Sequence, residues 1–250
     1  MNLTVIILAA GKGTRMKCKK KHYSKVAFLI LGKPIVSYVL KAVKEVKPKT
    51  IVTIVGFGGE ITSKIVKKDS EIVWQKEQKG TGHAVMQAKK YIKSGKDNYT
   101  IVLCGDAPQI RGETLKKLVK FHIQNKNDQT LVSAIVDNPF GYGRIVRDKN
   151  KKLVKVVEET DTNNQEKKIK EVNSGVVMFS NNALLKGLTK LTNHNKKQEY
   201  YLTQLISIFI KEHKKVDAMI MKDPHEMDGI NDRNQLALAR KALAARIKNK

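Results

Sequence analysis

Five short segments carry side chains that could do chemistry together. The first, Leu8-Ala9-Ala10-Gly11-Lys12-Gly13-Thr14-Arg15-Met16, directly follows an apolar run. Its small residues and two glycines let backbone N–H groups approach an anion, and Lys12 and Arg15 add positive charge. That combination suits a phosphate. Two better-known phosphate loops do not fit. A P-loop needs four residues between its first Gly and the Gly-Lys-Ser/Thr, and a dinucleotide fingerprint needs Gly or Ala where Met16 stands. The second segment is Trp74-Gln75-Lys76-Glu77-Gln78-Lys79-Gly80-Thr81-Gly82-His83-Ala84. The amide of Gln75 can pair with a donor and an acceptor on a base edge. Gly80 permits close backbone approach, and Thr81 could cap the helix that follows. His83 reads as structural.

The third segment, Leu103-Cys104-Gly105-Asp106-Ala107-Pro108, ends an apolar run on a carboxylate. The C-terminal ends of strands are where open α/β sheets bind ligands. Cys104 is not expected to act as a nucleophile. The fourth is glycine-rich around one aromatic, Pro139-Phe140-Gly141-Tyr142-Gly143-Arg144-Ile145, and Glu158 and Asn173 follow it. Carboxylate and amide oxygens accept hydrogen bonds from sugar hydroxyls. Taken singly, these are also a turn glycine, a surface glutamate and a loop asparagine. The fifth, Asp228-Gly229-Ile230-Asn231-Asp232-Arg233, precedes a helical stretch that Asn231 or Asp232 could cap.

These segments sit between regular elements. Apolar and β-branched runs at 3–9, 50–55, 71–74, 100–104 and 131–136 read as strands. Helical spacing falls between them at 34–46, 61–66, 81–92 and 115–125. That alternation predicts an α/β fold with a Rossmann-like, mostly parallel central sheet flanked by helices. The second half is less regular and adds a smaller β-rich lobe. Strands are expected at 144–147, 153–158, 172–179 and 216–221, and helices at 200–211 and 232–247. Residues 161–170 read as a loop or an exposed helix. One domain over 1–250 is expected, with a first half to about 135, a second over 136–231 and a C-terminal helix over 232–250.

The 250 residues are 41% hydrophobic and 29% charged, and apolar residues recur throughout, which excludes pervasive disorder. No stretch approaches the length of a membrane-spanning helix. The first apolar run has no cationic region before it and reads as a strand, not a signal peptide. Two cysteines, Cys18 and Cys104, cannot build a disulfide framework or a cysteine zinc cage. A cytoplasmic location is the expectation. The formal charge of +26 invites a polyanion partner. It is nearly all lysine and dispersed, with few arginines and no aromatic-basic interleaving, so no dedicated nucleic-acid site is expected. The field can still help draw in a small anionic substrate.

Together the segments resemble the signature of the sugar-1-phosphate nucleotidylyltransferases. The nearest resemblance is to the uridylyltransferase domain of the bacterial bifunctional N-acetylglucosamine-1-phosphate uridylyltransferase/glucosamine-1-phosphate acetyltransferase. The resemblance covers essentially the whole chain. It implies that Leu8, Ala9, Ala10 and Gly11 wrap the nucleotide, and that Gln75, Gly80 and Thr81 contact uracil and the nucleotide-sugar. It implies catalytic roles for Arg15 and Lys25 on the phosphates. The family has Pro-Lys-Val where this chain has Ser24-Lys25-Val26, after a longer connection; Lys19, Lys20 and Lys21 are alternatives. Asp106 and Asn231 would bind Mg²⁺. Cys104, Gly105, Gly143, Glu158, Asn173 and Asn231 would line the sugar site. The family usually has Tyr where Cys104 stands.

The implied reaction is transfer of UMP from UTP to N-acetylglucosamine 1-phosphate, giving UDP-N-acetylglucosamine and pyrophosphate. A different sugar 1-phosphate, such as glucose 1-phosphate, is the alternative, and a non-catalytic nucleic-acid-binding relative a more distant one. The bifunctional enzymes continue into a hexapeptide-repeat domain, and no such repeat occurs in these residues. Acetyl-CoA chemistry is therefore not expected, and the chain is expected to be a monomer or small homo-oligomer.

Overall fold

The computed structural model describes residues 1–11, 13, 16 and 23–248. The chain runs through β1 (Asn2–Ala9), a short hairpin of β2 (Leu29–Ile30) and β3 (Lys33–Pro34), α1 (Ile35–Lys44), β4 (Thr50–Val55), α2 (Gly59–Val66), β5 (Glu71–Trp74), α3 (Thr81–Gln87), β6 (Asn98–Cys104) and α4 (Gly112–Gln124). It continues through β7 (Gln129–Ile135), β8 (Arg144–Arg147), β9 (Leu153–Val157), β10 (Glu171–Ser180), α5 (Asn181–Leu188), α6 (Gln204–Lys211), β11 (Val216–Ile220) and α7 (Arg233–Lys248).

The main sheet has the order β11-β7-β10-β6-β1-β4-β5, with β8 and β9 paired off β10. All its main-path pairings are parallel except those of β10, which runs antiparallel to both β6 and β7. The mixed but mostly parallel sheet is the one the sequence predicts. Burial explains it. In β1, Leu3, Val5, Ile7 and Ala9 face one core, with α1 and α4, while Ile6 faces the other, with α3, α5 and α6. A strand buried on both faces reads as a continuous apolar run because alternate side chains enter opposite cores. A third cluster packs Ala239 and Leu243 of α7 on Ile30, Ile35 and Ile230.

Local differences from expectation have local causes. The helix expected to reach residue 92 stops at Gln87, and a 3-10 turn, Lys89–Tyr91, follows. Residues 161–170 hold no regular helix, only the end of the 3-10 turn Glu159–Asp161 and, within them, the 3-10 turn Glu166–Lys168. No described helix is long and apolar enough to cross a membrane.

The register gathers the functional segments. Leu8 lies opposite Cys104, Ala9 opposite Val55, and Val55 opposite Trp74. The segments that begin at Ala10, Gln75 and Gly105 therefore leave the same sheet edge. The chain goes from β1 to β4 and β5 on one side and then crosses to β6 on the other. That reversal opens a crevice at the strand ends. From the opposite direction, the ladder of β10 on β7 slips between Asn173 and Val177, which brings Asn173 to this edge.

One buried histidine gives the fold an acid sensitivity. His122 is fully buried at the end of α4. Asn127 Nδ2 donates to Thr130 Oγ1, and His122 Nδ1 shares a hydrogen bond with the same hydroxyl, both at 2.9 Å. His122 Nε2 then has no partner among the described residues. Burial pushes the imidazole from its ordinary 6.5 down to about 4. Between those values the unfolded chain binds the proton and the folded chain does not, so stability rises with pH. Acidification through this window should cost about 3 kcal/mol. Denaturant unfolding at pH 4.5 and 7 should show a smaller acid loss in His122→Leu than in wild type; equal losses would refute the assignment.

Candidate active site

Two hollows meet at the strand ends. The first, about 410 Å³, is lined by Leu8, Ala9, Ala10, Gly11, Lys25, Gln75, Gly80 and Thr81. The second, about 260 Å³, is lined by Gly143, Glu158, Asn173, Tyr142 and Asn231. Leu8, Thr81, Cys104 and Asp106 line both, so these residues mark the boundary. Arg15, Lys19, Lys20 and Lys21, expected near the phosphates, lie outside the described residues.

At that boundary one ammonium meets two oxygens. Lys25, in a 3-10 turn over Lys25–Ala27, pairs with Asp106 Oδ2 and donates to Asn231 Oδ1 at 2.7 Å. The side chains of Lys25 and Asp106 are 14% and 17% exposed. Asp106 follows β6, and its carbonyl accepts from Ile230 N at 2.9 Å, which fixes the late segment carrying Asn231 against the early one. Asn231 does not cap α7. Asp232 does, accepting from Gln235 N at 2.8 Å, while Gln235 Oε1 accepts from Asn231 N at 2.7 Å. The side-chain carbonyl of Asn231 is thus released toward Asp106.

Glu226 braces the same segment from behind. Its buried carboxylate accepts from Arg111 N and Thr114 Oγ1, both at 2.9 Å, and Arg111 also pairs with Asp223 at 2.7 Å. These bonds join the turn before Asn231 to the start of α4. The donor set at Asp106 and Asn231 is hard oxygen, one charged and one neutral, and it already holds a cationic group. That chemistry fits a divalent ion of the Mg²⁺ type, which takes few protein oxygens and completes its shell with phosphate and water.

In the first hollow Gln75 is buried, and its Nε2 donates to Gly80 O at 3.1 Å and lies 3.0 Å from His83 Nδ1. These contacts point its carbonyl oxygen away from His83, leaving an acceptor for a base N–H. His83 therefore orients Gln75. Gly80 is the N-cap of α3 at φ +100°. Thr81 is not the cap expected from sequence; its hydroxyl accepts from Leu202 N at 3.0 Å. Tyr200 N donates to Lys79 O at 2.8 Å and Gly82 N to Tyr200 O at 2.7 Å, so residues 199–202 lie against 79–82. Glu199 joins this wall.

The second hollow has a polar wall. Glu158 is half-buried, accepts from Thr203 Oγ1 at 2.8 Å, and is pushed above the usual carboxylate range by burial. Asn173 N donates to Gly143 O at 2.8 Å, and its Oδ1 accepts from Gly175 N at 3.1 Å, which leaves the amide N–H groups for a ligand. Buried Arg144 bonds to Tyr142 O and to Glu159 at 2.8 Å, and Glu159 also accepts from Gly141 N at 2.8 Å. The glycine-rich turn is thereby anchored. Burial pushes the Cys104 thiol up to about 12, so it faces both hollows as a neutral group. Gly105 lines neither; it is buried behind them, with its N–H on Leu8 O at 2.9 Å. Tyr142, Glu199 and Thr203 are additions to the expected set. Tyr142 lies within Gly-Tyr-Gly, and residues 199–203 resemble a helix start near the family's sugar pocket, to which no chemistry is assigned from sequence.

The mostly parallel sheet, flanked by helices and cleft at its strand ends, is the α/β fold of nucleotide-sugar transferases. The model of the nucleotidyl transferase family matches residues 4–228, and the chain belongs to that family. It is similar to the Bifunctional protein GlmU of Streptococcus uberis, 43% identical over 242 residues, which cover 97% of this chain and 52% of that protein. The Bifunctional protein GlmU of Streptococcus suis is 43% identical over 249 residues, 100% of this chain and 53% of that protein. That of Streptococcus agalactiae is 42% identical over 247 residues, 99% and 53% respectively. The chain spans about half the length of the curated relatives it matches.

Proposed function

We propose that the chain transfers UMP from UTP to N-acetylglucosamine 1-phosphate, releasing pyrophosphate. The observation that carries this reading is the convergence of Lys25, Asp106 and Asn231 at the boundary of the two hollows. One hollow offers an amide on a strand end and small backbone residues, which suit a base and phosphates. The other offers a half-buried carboxylate, an amide and glycine backbone, which suit a hydroxylated ring. A reaction joining their occupants belongs where they meet. The early half, to about residue 135, would hold the nucleotide, and residues 136–231 the sugar.

In this reading a phosphate oxygen of the sugar phosphate attacks the α-phosphorus of UTP in line. The bond from that phosphorus to the bridging oxygen breaks, and pyrophosphate leaves. Asp106 and Asn231 would hold Mg²⁺, which supplies charge neutralisation on the phosphates when bound. Lys25 and Arg15 would offset further negative charge, and the glycine loop would fix the phosphate chain. Such catalysis is positioning and electrostatics, with no general base. Pyrophosphate release from UTP should be measured with N-acetylglucosamine, glucose and galactose 1-phosphates in parallel. Clear preference for the N-acetyl sugar supports the pocket assignment. Preference for another sugar keeps the chemistry and rejects the pocket, with Cys104 the first residue to change. Silence with all three, in folded protein, rejects the reading.

A further inference from the structure

Lys25 has two claims on it. It lines the nucleotide hollow, where an ammonium suits a phosphate, yet its ammonium is held by Asp106 Oδ2 and Asn231 Oδ1. Those are the same two oxygens whose chemistry fits a divalent cation. Asp106 supplies one negative charge, and Asn231 none. A divalent ion on that pair would sit beside a full positive charge, with too little negative charge to hold both. Among the described residues, Lys25 is paired with no other carboxylate. Leaving costs it this ion pair unless another anion accepts it, and the hollow it already lines is where a nucleotide phosphate would arrive.

We propose that Lys25 and the divalent ion compete for Asp106 and Asn231, so that the site takes its metal efficiently only when a nucleotide phosphate draws Lys25 away. This inference rests on the placement of the metal at Asp106 and Asn231 in the function proposed above. Lys25 thereby acts twice: it keeps the two oxygens together, and it makes metal loading depend on nucleotide. By reciprocity the metal strengthens nucleotide binding by the same factor. The arrangement discourages a loaded metal without a phosphate to act on.

The inference predicts a gain of binding on removing a positive residue of the site. Mn²⁺ binding to the protein alone can be followed by electron paramagnetic resonance of the free ion. Lys25→Met should bind Mn²⁺ at least about tenfold more tightly than wild type. Lys25→Arg, which keeps the charge, should stay close to wild type. Adding Asp106→Ala to Lys25→Met should abolish the gain, which places the ion on these oxygens. Thermal unfolding of each variant confirms that it is folded. Equal or weaker binding by folded Lys25→Met overturns the competition, as does a gain that survives Asp106→Ala. Failure of the function itself is read separately, from wild-type turnover of UTP and sugar phosphate.

Discussion

Asp106→Ala should leave a folded protein whose turnover falls roughly 10²–10³-fold, by analogy with the loss of other charge-stabilising groups. The carboxylate ends β6 at the boundary of both hollows, 17% exposed, where it pairs with Lys25. Its removal takes away the only negative charge in the pair of oxygens assigned to the metal. The backbone is little affected, because the link to Ile230 N uses the carbonyl of Asp106, not its side chain. Pyrophosphate release at saturating UTP and sugar phosphate, compared with wild type across a Mg²⁺ titration, measures the effect. Excess Mg²⁺ should not restore the rate. Wild-type turnover in this variant would end the assignment of Asp106.

The second large effect is expected at Gly80. Its φ of +100° lies where side chains are strained, and a Cβ there would meet Tyr200 O at 2.7 Å and Tyr200 N at 2.9 Å. These are backbone atoms in a segment already bonded to Lys79, Thr81 and Gly82, so they cannot swing aside. Gly80→Ala should cost about 1–3 kcal/mol in strain alone, and more for the clash. It should also raise the KM for UTP at least about tenfold, equivalent to some 1.4 kcal/mol of binding, because Gly80 O positions Gln75. Gly32→Ala is the control. Gly32 also has positive φ, +76°, but nothing lies within 4 Å of its Cβ position, so it reports strain without collision. Equal losses of stability in the two variants would refute the steric account.

Much of the fold was legible because burial writes itself into the strands. The runs 3–9, 50–55 and 100–104 are apolar on both faces, as a central strand with a core on each side requires. What sequence reasoning missed depends on distant partners. Helix α5 follows β10 at once, starting on a buried polar residue. Asn181 accepts from Thr100 Oγ1 at 2.7 Å and donates to Lys93 O at 2.8 Å, partners some eighty residues away. Thr81 looks like a cap because it opens a helix, yet its hydroxyl serves Leu202. Thr203 and Glu199 lie where no chemistry was assigned, and they reach the hollows only because 199–202 folds against 79–82. Conversely, segments such as Gly105-Asp106 and Ile230-Asn231 were legible separately. Their meeting through Lys25 was not, because it joins positions 25, 106 and 231.

In the proposed function the two hollows hold a nucleotide and a sugar phosphate for one transfer between them. This is tested most directly by incubating the protein with Mg²⁺, N-acetylglucosamine 1-phosphate and UTP labelled at its α-phosphate, then identifying the labelled product. The label should move into UDP-N-acetylglucosamine, with one pyrophosphate released per molecule formed. Label that remains in UTP, or appears only in UMP and UDP, would contradict the proposed function.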